Sequence, residues 1–327
     1  MSCREEIVAR VFLIDTDTAS DDAVALIMAL RAPGVRVAAI TTVAGNIGVG
    51  QATRNALYTV ELCGADVPVY AGSARPLTRP HQDATWFHGK DGLGDHGYPA
   101  ARRAAEKLHG VDAILETAQK NPGLVVVTLG PLTNVALALA RDPGLVKNVS
   151  RCVVMGGAPC CEGNVTPAAE FNIWVDPEAA RMVLLSGLPI ELVGWHLCRG
   201  DAVIKPPDID RVLALDTPVA RFAIESNSHA RLALKIQTGE DGICLPDPVT
   251  MCLALDPSVG SWSEHFVEVA THDELTRGMT IIDRLNVSED DRNRATWEHA
   301  LQGGRKAQIC WTIDNDRWKQ ALMRALS

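Results

Sequence analysis

The chain has 327 residues, of which 47% are apolar and 22% charged, with a formal net charge of −9 at pH 7. This composition suits a globular protein with a sizeable core, and the acidic balance argues against a nucleic-acid surface, which needs clustered Lys and Arg. The nine cysteines are scattered without metal-ligand spacing, no apolar run approaches a membrane span and no charged-then-apolar leader opens the chain, so a reduced, cytoplasmic protein is expected.

In chain order, residues 11–14 are a short apolar run that reads as a strand. Ala23, Val24, Leu26, Ile27 and Leu30 follow at helical spacing, stopped by Pro33-Gly34. Residues 35–43 are a β-branched second strand ending at Gly45-Asn46, residues 51–63 are helical in pattern, and 67–70 read as a third strand. Arg102, Arg103 and Lys107 read as a solvated helix face. Residues 124–128 form a strand, and a helix over 132–139 follows Gly130-Pro131. A strand over 152–155 ends in Gly156-Gly157, 177–185 is helical, and 189–193 is another strand. From about residue 265 the texture changes: 265–270 and 279–282 look like an antiparallel pair, before a last helix from Asp316.

Continuous apolar strands alternating with helices predict an α/β fold. The expected architecture is an open, mostly parallel sheet with helices on both faces and a small antiparallel addition near the C-terminus. With no linker or repeat, residues 1–327 are expected to form one domain. Sites in such sheets form outside the carboxyl ends of the strands. The polar clusters at 15–22, Asn46, Leu129-Gly130 and 156–172 all fall there, which is the first reason to read them as one site.

Residues 15–22 hold four aspartates, Asp15, Asp17, Asp21 and Asp22. Asp15 and Asp17 lie on the exit of the first strand. Ser20 is placed to cap the next helix, with Asp21 and Asp22 in its first turn, where the helix dipole favours negative charge by a few tenths to ~1 kcal/mol per group. That is too little to hold four carboxylates together near neutral pH. A bound divalent cation resolves the crowding, and all-oxygen ligation selects Ca²⁺ or Mg²⁺. Asp15-Thr16-Asp17-Thr18 also matches D-x-D-x-T, the pattern of haloacid-dehalogenase phosphatases, which would make Asp15 a nucleophile.

The longer string D-T-D-x-x-x-D-D-A-V-A-L, residues 15–26, resembles the nucleoside hydrolases, which commonly write it D-x-D-P-G-x-D-D-A-x-A-L. Thr18-Ala19 stands where Pro-Gly is usual, a departure in the turn and not in the acids. The resemblance continues through Ala39-Ile-Thr-Thr-Val-Ala-Gly-Asn46, the loop His88-Gly-Lys-Asp-Gly-Leu-Gly94, Gly130-Pro-Leu-Thr-Asn134 and Val154-Met-Gly-Gly157. Glu162-Gly-Asn164, Ala169-Glu-Phe-Asn172 and Asp176-Pro-Glu-Ala-Ala180 are its most specific part, and Asp247-Pro248 with Leu255-Asp-Pro257 resembles the final acidic motif.

The resemblance implies a Ca²⁺ ion held by Asp17, Asp22, Asp247 and the backbone carbonyl of Leu129, completed by water and ribose hydroxyls. Asp17 would be the general base. Asp21, Asn46, Asn164, Glu170 and Asn172 would grip the ribose, with Asn164 and Glu170 on its 5′-hydroxyl. Met155 would lie under the sugar, and Asp15 would hold the turn. The base side departs from the family pattern. Pro246 occupies the place of a His proposed to protonate the leaving base, and the usual tyrosines are missing from 223–237. His88, Trp86, His229, Arg231 and Cys244 are the candidates to compensate, with His88 favoured as catalytic residue and Trp86 as a stacking partner. Trp174, Trp195 and His196 read as packing.

The expected activity is calcium-dependent hydrolysis of the N-glycosidic bond of ribonucleosides, purine nucleosides preferred, by a homodimer or homotetramer with no nucleic-acid or membrane partner. Three alternatives stay open: a haloacid-dehalogenase-like phosphatase, a non-catalytic ribosyl-binding protein, and a hydrolase of modified N-ribosides.

Overall fold

The computed structural model describes residues 9–303 and 305–327. Among the described residues ten strands occur in chain order: β1 (Arg10–Thr16), β2 (Val35–Thr42), β3 (Val69–Ala71), β4 (Leu124–Thr128), β5 (Val149–Met155), β6 (Ile190–Val193), β7 (Gly260–His265), β8 (Val267–Val269), β9 (Thr280–Ile282) and β10 (Ala307–Ile313). The helices are α1 (Ser20–Leu30), α2 (Val49–Leu62), α3 (Thr85–His88), α4 (Gly110–Lys120), α5 (Thr133–Arg141), α6 (Phe171–Val175), α7 (Pro177–Leu184), α8 (Pro206–Leu213), α9 (Pro218–Glu225), α10 (Ser228–Thr238), α11 (Pro246–Leu255), α12 (Glu298–Gly303) and α13 (Asn315–Leu326).

Eight strands form one sheet in the order β3-β2-β1-β4-β5-β6-β10-β7, parallel throughout except for β7, which runs antiparallel to β10 at the edge. A second sheet is the antiparallel pair β8-β9. The expected α/β architecture is therefore the observed one. Alternate side chains of the apolar strands serve opposite faces. Phe12 and Ile14 of β1 join one buried cluster with α1, α2, α9, α11 and α13, whereas Leu13 joins the other with α4, α5 and α7. Burial on both faces is why these strands are apolar without interruption.

The expected C-terminal pair exists, trimmed to β8 and β9 in the register Val267↔Ile282. Two neighbouring strands escape the sequence reading. β7 is an edge strand whose six residues Gly-Ser-Trp-Ser-Glu-His include one buried side chain, so it lacks an apolar signature. β10 is apolar but joins the main sheet from far along the chain, next to β6. Residues 194–245, unassigned in the sequence reading, supply α8, α9 and α10. No helix among the described residues is long and apolar enough to cross a membrane.

The strand order reverses direction at β1, which has β2 on one side and β4 on the other. Such a reversal opens a crevice at the carboxyl ends of the strands. The exits of β2, β4 and β5 carry Asn46, Leu129 and Met155 into it, and Asp17, on the exit of β1, is tied to Asn46 behind this lining.

Candidate active site

The turn after β1 is closed by hydroxyls in place of the Pro-Gly usual in the resemblance. Thr18 N–H donates to Thr16 Oγ1 at 3.1 Å, and the two threonine hydroxyls also lie 3.1 Å apart. Thr16 Oγ1 donates in turn to Asp22 Oδ1 at 2.5 Å. The N-terminus of α1 is closed by Asp22, whose Oδ2 accepts Ala19 N–H at 2.9 Å. Ser20, expected as the cap, is instead the first residue of the helix, and its Oγ lies 2.9 Å from His88 Nδ1. The hydroxyl is spent across the cavity wall and not on its own helix.

Asp15 Oδ1 accepts from Thr41 Oγ1 at 2.5 Å and Asn134 Nδ2 at 2.8 Å, tying β1 to β2 and α5. It is fully buried, and both of these bonds run to neighbouring elements, which agrees with a turn-holding role. Asp17 Oδ2 accepts Asn46 N–H at 2.6 Å, while its Oδ1 is buried without a partner. Gly45 and Gly130 crowd this carboxylate so closely that a Cβ at either position would overlap it.

Asp247 follows Pro246 in the first turn of α11, which packs against α1. Proline suits the first position of a helix, where no N–H is required. One carboxylate oxygen each from Asp21, Asp22 and Asp247 lies within 4.8 Å of the others, and all three groups are buried. This is a shifted version of the expected set, with Asp21 inside the tightest cluster and Asp17 beside it. Burial raises all four acids, and repulsion from neighbouring carboxylates adds to it at Asp17, Asp21 and Asp247, taking Asp21 to about 8 and Asp17 and Asp247 well above the usual carboxylate range. Asp17 Oδ1, Asp21 Oδ1 and Asp247 Oδ2 have no hydrogen-bond partner among the described residues. Crowded, buried, orphaned carboxylate oxygens fit a hard divalent cation, which supplies the missing positive charge and takes oxygen ligands.

Above this cluster opens a cavity of about 1000 Å³, lined by Asp21, Asn46, Trp86, His88, Leu129, Met155, Asn164, Glu170, Asn172 and Asp247 among others. Glu170 caps α6, accepting N–H bonds from Asn172 and Gly157 at 2.9 Å and from Ile173 at 3.2 Å. Asn172 Nδ2 donates to the Leu129 carbonyl at 2.8 Å and lies 3.3 Å from Met155 Sδ, joining the ends of β4 and β5. Asn164 Oδ1 accepts Phe171 N–H at 2.9 Å. The expected sugar-side residues thus converge on one floor.

The base side sorts the remaining candidates. His88 is buried against the cavity, and burial lowers its imidazole to about 3, so it is neutral near pH 7. Trp86 stands 60% exposed at the mouth. Cys244 lines the cavity, but its thiol donates to the Cys198 carbonyl at 2.9 Å and burial pushes its ionisation up. His229 faces Asp95 at 3.7 Å, Arg231 is paired twice with Asp241 at 2.6 and 3.0 Å, and neither lines the cavity. Both leave the field. Trp174 and Trp195, expected to be packing, are cavity walls. Trp174 carries the Arg277 guanidinium 5.0 Å from its ring. His196 does pack, with Nε2 3.0 Å from the Cys310 carbonyl. Phe87, Arg199 and Gln237 also line the cavity and were missed. The one usable signal was position, since Trp195 and Arg199 follow the carboxyl end of β6.

The model of the inosine-uridine preferring nucleoside hydrolase family matches residues 12–320. The chain belongs to this family. As a nucleoside hydrolase it is a glycosidase acting on N-glycosyl bonds, which removes the phosphatase and the non-catalytic binder from the alternatives. It is 37% identical over 288 residues to a pyrimidine-specific ribonucleoside hydrolase, RihA, of Shewanella sp. (strain MR-7), covering 87% of this chain and 90% of that one. Among solved structures it is similar to a plant nucleoside hydrolase, PpNRh1, with a TM-score of 0.90 and 31% identity, covering 97% of this chain and 98% of that one. It is also similar to a purine-preferring ribonucleoside hydrolase from Gardnerella vaginalis, with a TM-score of 0.86 and 28% identity over the same shares. These relatives differ in the base they take.

Proposed function

We propose that this nucleoside hydrolase is calcium-dependent and prefers purine ribonucleosides, releasing ribose and free base. The observation that carries the metal is the set of buried, unpartnered oxygens of Asp17, Asp21 and Asp247. Asp17, Asp22, Asp247 and the Leu129 carbonyl would hold the ion, with Asp21 close enough to share in it. When bound, a Ca²⁺ ion supplies charge that acidifies a water and orients sugar hydroxyls.

The chain's own groups do the rest. Asp17 takes the proton of the attacking water at Oδ1, the oxygen that Asn46 leaves free. Asp21, Asn46 and Asn172 hold the ribose ring hydroxyls, and Asn164 and Glu170 hold the 5′ end. Fixed dipoles and carboxylates around the ring favour an oxocarbenium-like transition state over the neutral ground state. The Met155 thioether lies on the same floor, 3.3 Å from Asn172 Nδ2, where a polarizable sulfur suits a developing cation.

Purine preference is supported by aromatic side chains around the cavity, Trp86, Trp174 and Trp195, which offer broad faces to a bicyclic base. Self-association into a dimer or tetramer belongs to the same proposal. A cytoplasmic location accords with cysteines that are all unpaired among the described residues. A nucleoside panel with reducing-sugar detection, run with and without chelator, tests the reading. Turnover of inosine above uridine that disappears with chelator is the expected result. Turnover that survives chelation, or uridine as the best substrate, would overturn the metal or the base assignment respectively.

A further inference from the structure

We propose that Ser20 is a positioning residue that sets the tautomer of His88, so that a neutral imidazole presents its Nε2–H to the departing base. The inference rests on the reading of His88 as the group facing that base. Ser20 is fully buried, and among the described residues its hydroxyl has one hydrogen-bond neighbour, His88 Nδ1 at 2.9 Å. The pair can share a proton in two ways. If Nδ1–H donated to Oγ, the serine hydrogen would be left buried without an acceptor. If Oγ–H donates to Nδ1, both groups are satisfied, and the ring proton must then sit on Nε2. The Asp21 carboxylate does not compete for this nitrogen, since its Oδ1 is 3.8 Å from Nδ1, beyond hydrogen-bond reach.

Both partners are held in place. Asn227 Nδ2 donates to the Ser20 carbonyl at 3.2 Å and to the Ala223 carbonyl at 2.9 Å, bracing the start of α1 from the corner between α9 and α10. The His88 backbone accepts from Gly94 N–H at 2.9 Å, and the Phe87 ring meets the imidazole edge-on with centroids 4.9 Å apart. With Nδ1 engaged behind it, the ring can offer only Nε2 to the cavity it lines.

This answers how a base can leave when Pro246 replaces a proton donor. As the bond from C1′ to the base nitrogen breaks, its electron pair stays on the base. The developing negative charge spreads to a ring nitrogen or carbonyl oxygen, which a fixed N–H donor stabilises without transferring its proton. The water oxygen bonds to C1′ and its proton passes to Asp17. The freed base then takes a proton from solvent.

The test has two parts, both on the full chain loaded with calcium. In ¹⁵N-histidine-labelled protein, with His88 assigned by its loss in His88→Gln, Nδ1 should report as unprotonated and Nε2 as protonated. In Ser20→Ala, kcat for nucleosides should fall about tenfold with little change in KM, the scale of one misdirected donor. Turnover of 4-nitrophenyl riboside, whose leaving group needs no donor, should fall far less. A proton on Nδ1, an unaltered kcat in Ser20→Ala, or an equal loss on both substrates would overturn the proposal. Wild-type nucleoside turnover by His88→Gln would instead sink the role of His88 itself, which keeps the two failures apart.

Discussion

The backbone N–H of Asn46 donates to Asp17 Oδ2 at 2.6 Å, joining the exit of β2 to the exit of β1 and leaving the other oxygen of Asp17 an acceptor with no donor among the described residues. Asp17→Asn keeps the shape of this group and removes its basicity. The fold and ribose affinity should persist while kcat drops by ~10²–10⁴, the usual value of a general base. Single-turnover kinetics with ribose-binding controls would measure it, and near-normal kcat would move the role to Asp21.

Gly45→Ala tests the same carboxylate sterically. A Cβ at position 45 overlaps the Asp17 carboxyl group, so the side chain or the loop must shift. Calcium affinity and kcat should both fall, although Gly45 bears no functional group. A variant that binds calcium and turns over like the parent would show that the loop yields without disturbing Asp17.

Calcium should be present at about one ion per chain in protein purified without added metal, as a hard-oxygen site of this kind implies. Adding calcium to chelated protein should raise the melting temperature, since a ligand at ~100 times its Kd adds about 2.7 kcal/mol to the folded state. Elemental analysis and thermal scans read both; no metal and no shift would remove calcium from the account.

The chelated protein should lose stability as pH rises. Asp15 and Asp21 have folded-state values raised to about 7 and about 8, so between the ordinary carboxylate range and those values the folded state binds more protons than the unfolded state. Stability then falls with increasing pH across that window. Denaturant midpoints without metal should be lower at pH 8 than at pH 6, and calcium should shrink the difference. A flat profile would mean that the acids are not buried in the folded chelated protein.

Trp86→Ala should lower kcat for inosine more than it raises KM, because a contact made chiefly in the transition state lowers kcat and kcat/KM alike. A change confined to KM would make Trp86 a ground-state binding surface only.

The residues proposed for the sugar side were easy to group because they lie in ordered motifs at the ends of apolar strands, which the sheet brings together. Asp17, Asp21, Asp22, Asn46, Met155, Glu170, Asn172 and Asp247 needed only that topology to become neighbours. The base side was not legible in the same way. Trp174 sits on the short helix α6 and Trp195 just past β6, and nothing local separates an aromatic that packs from one that walls a cavity. His229 and Arg231 carried suitable chemistry, but Asp95 and Asp241 are too distant from them in pattern for the pairings to be foreseen. Ser20 was misread because a serine before a helical run normally caps it, and the partner that takes its hydroxyl lies 68 positions away. The strand β7 failed for the opposite reason, being nearly all polar at an edge.

The position of β10 has a consequence for how the enzyme is made. It lies between β6 and β7, so β7 has no sheet partner until residues 307–313 have been synthesised. The helix after it, α13, packs on both α1 and α11, the two helices whose first turns carry Asp21, Asp22 and Asp247. A nascent chain halted before β10 would hold nearly every motif of the site and still lack the buttress behind its carboxylates. Emergence of residues 307–326, not appearance of the last acid, is therefore the point at which the helices bearing these carboxylates gain their support, and removal of β10 and α13 should silence the enzyme from the far side of the sheet.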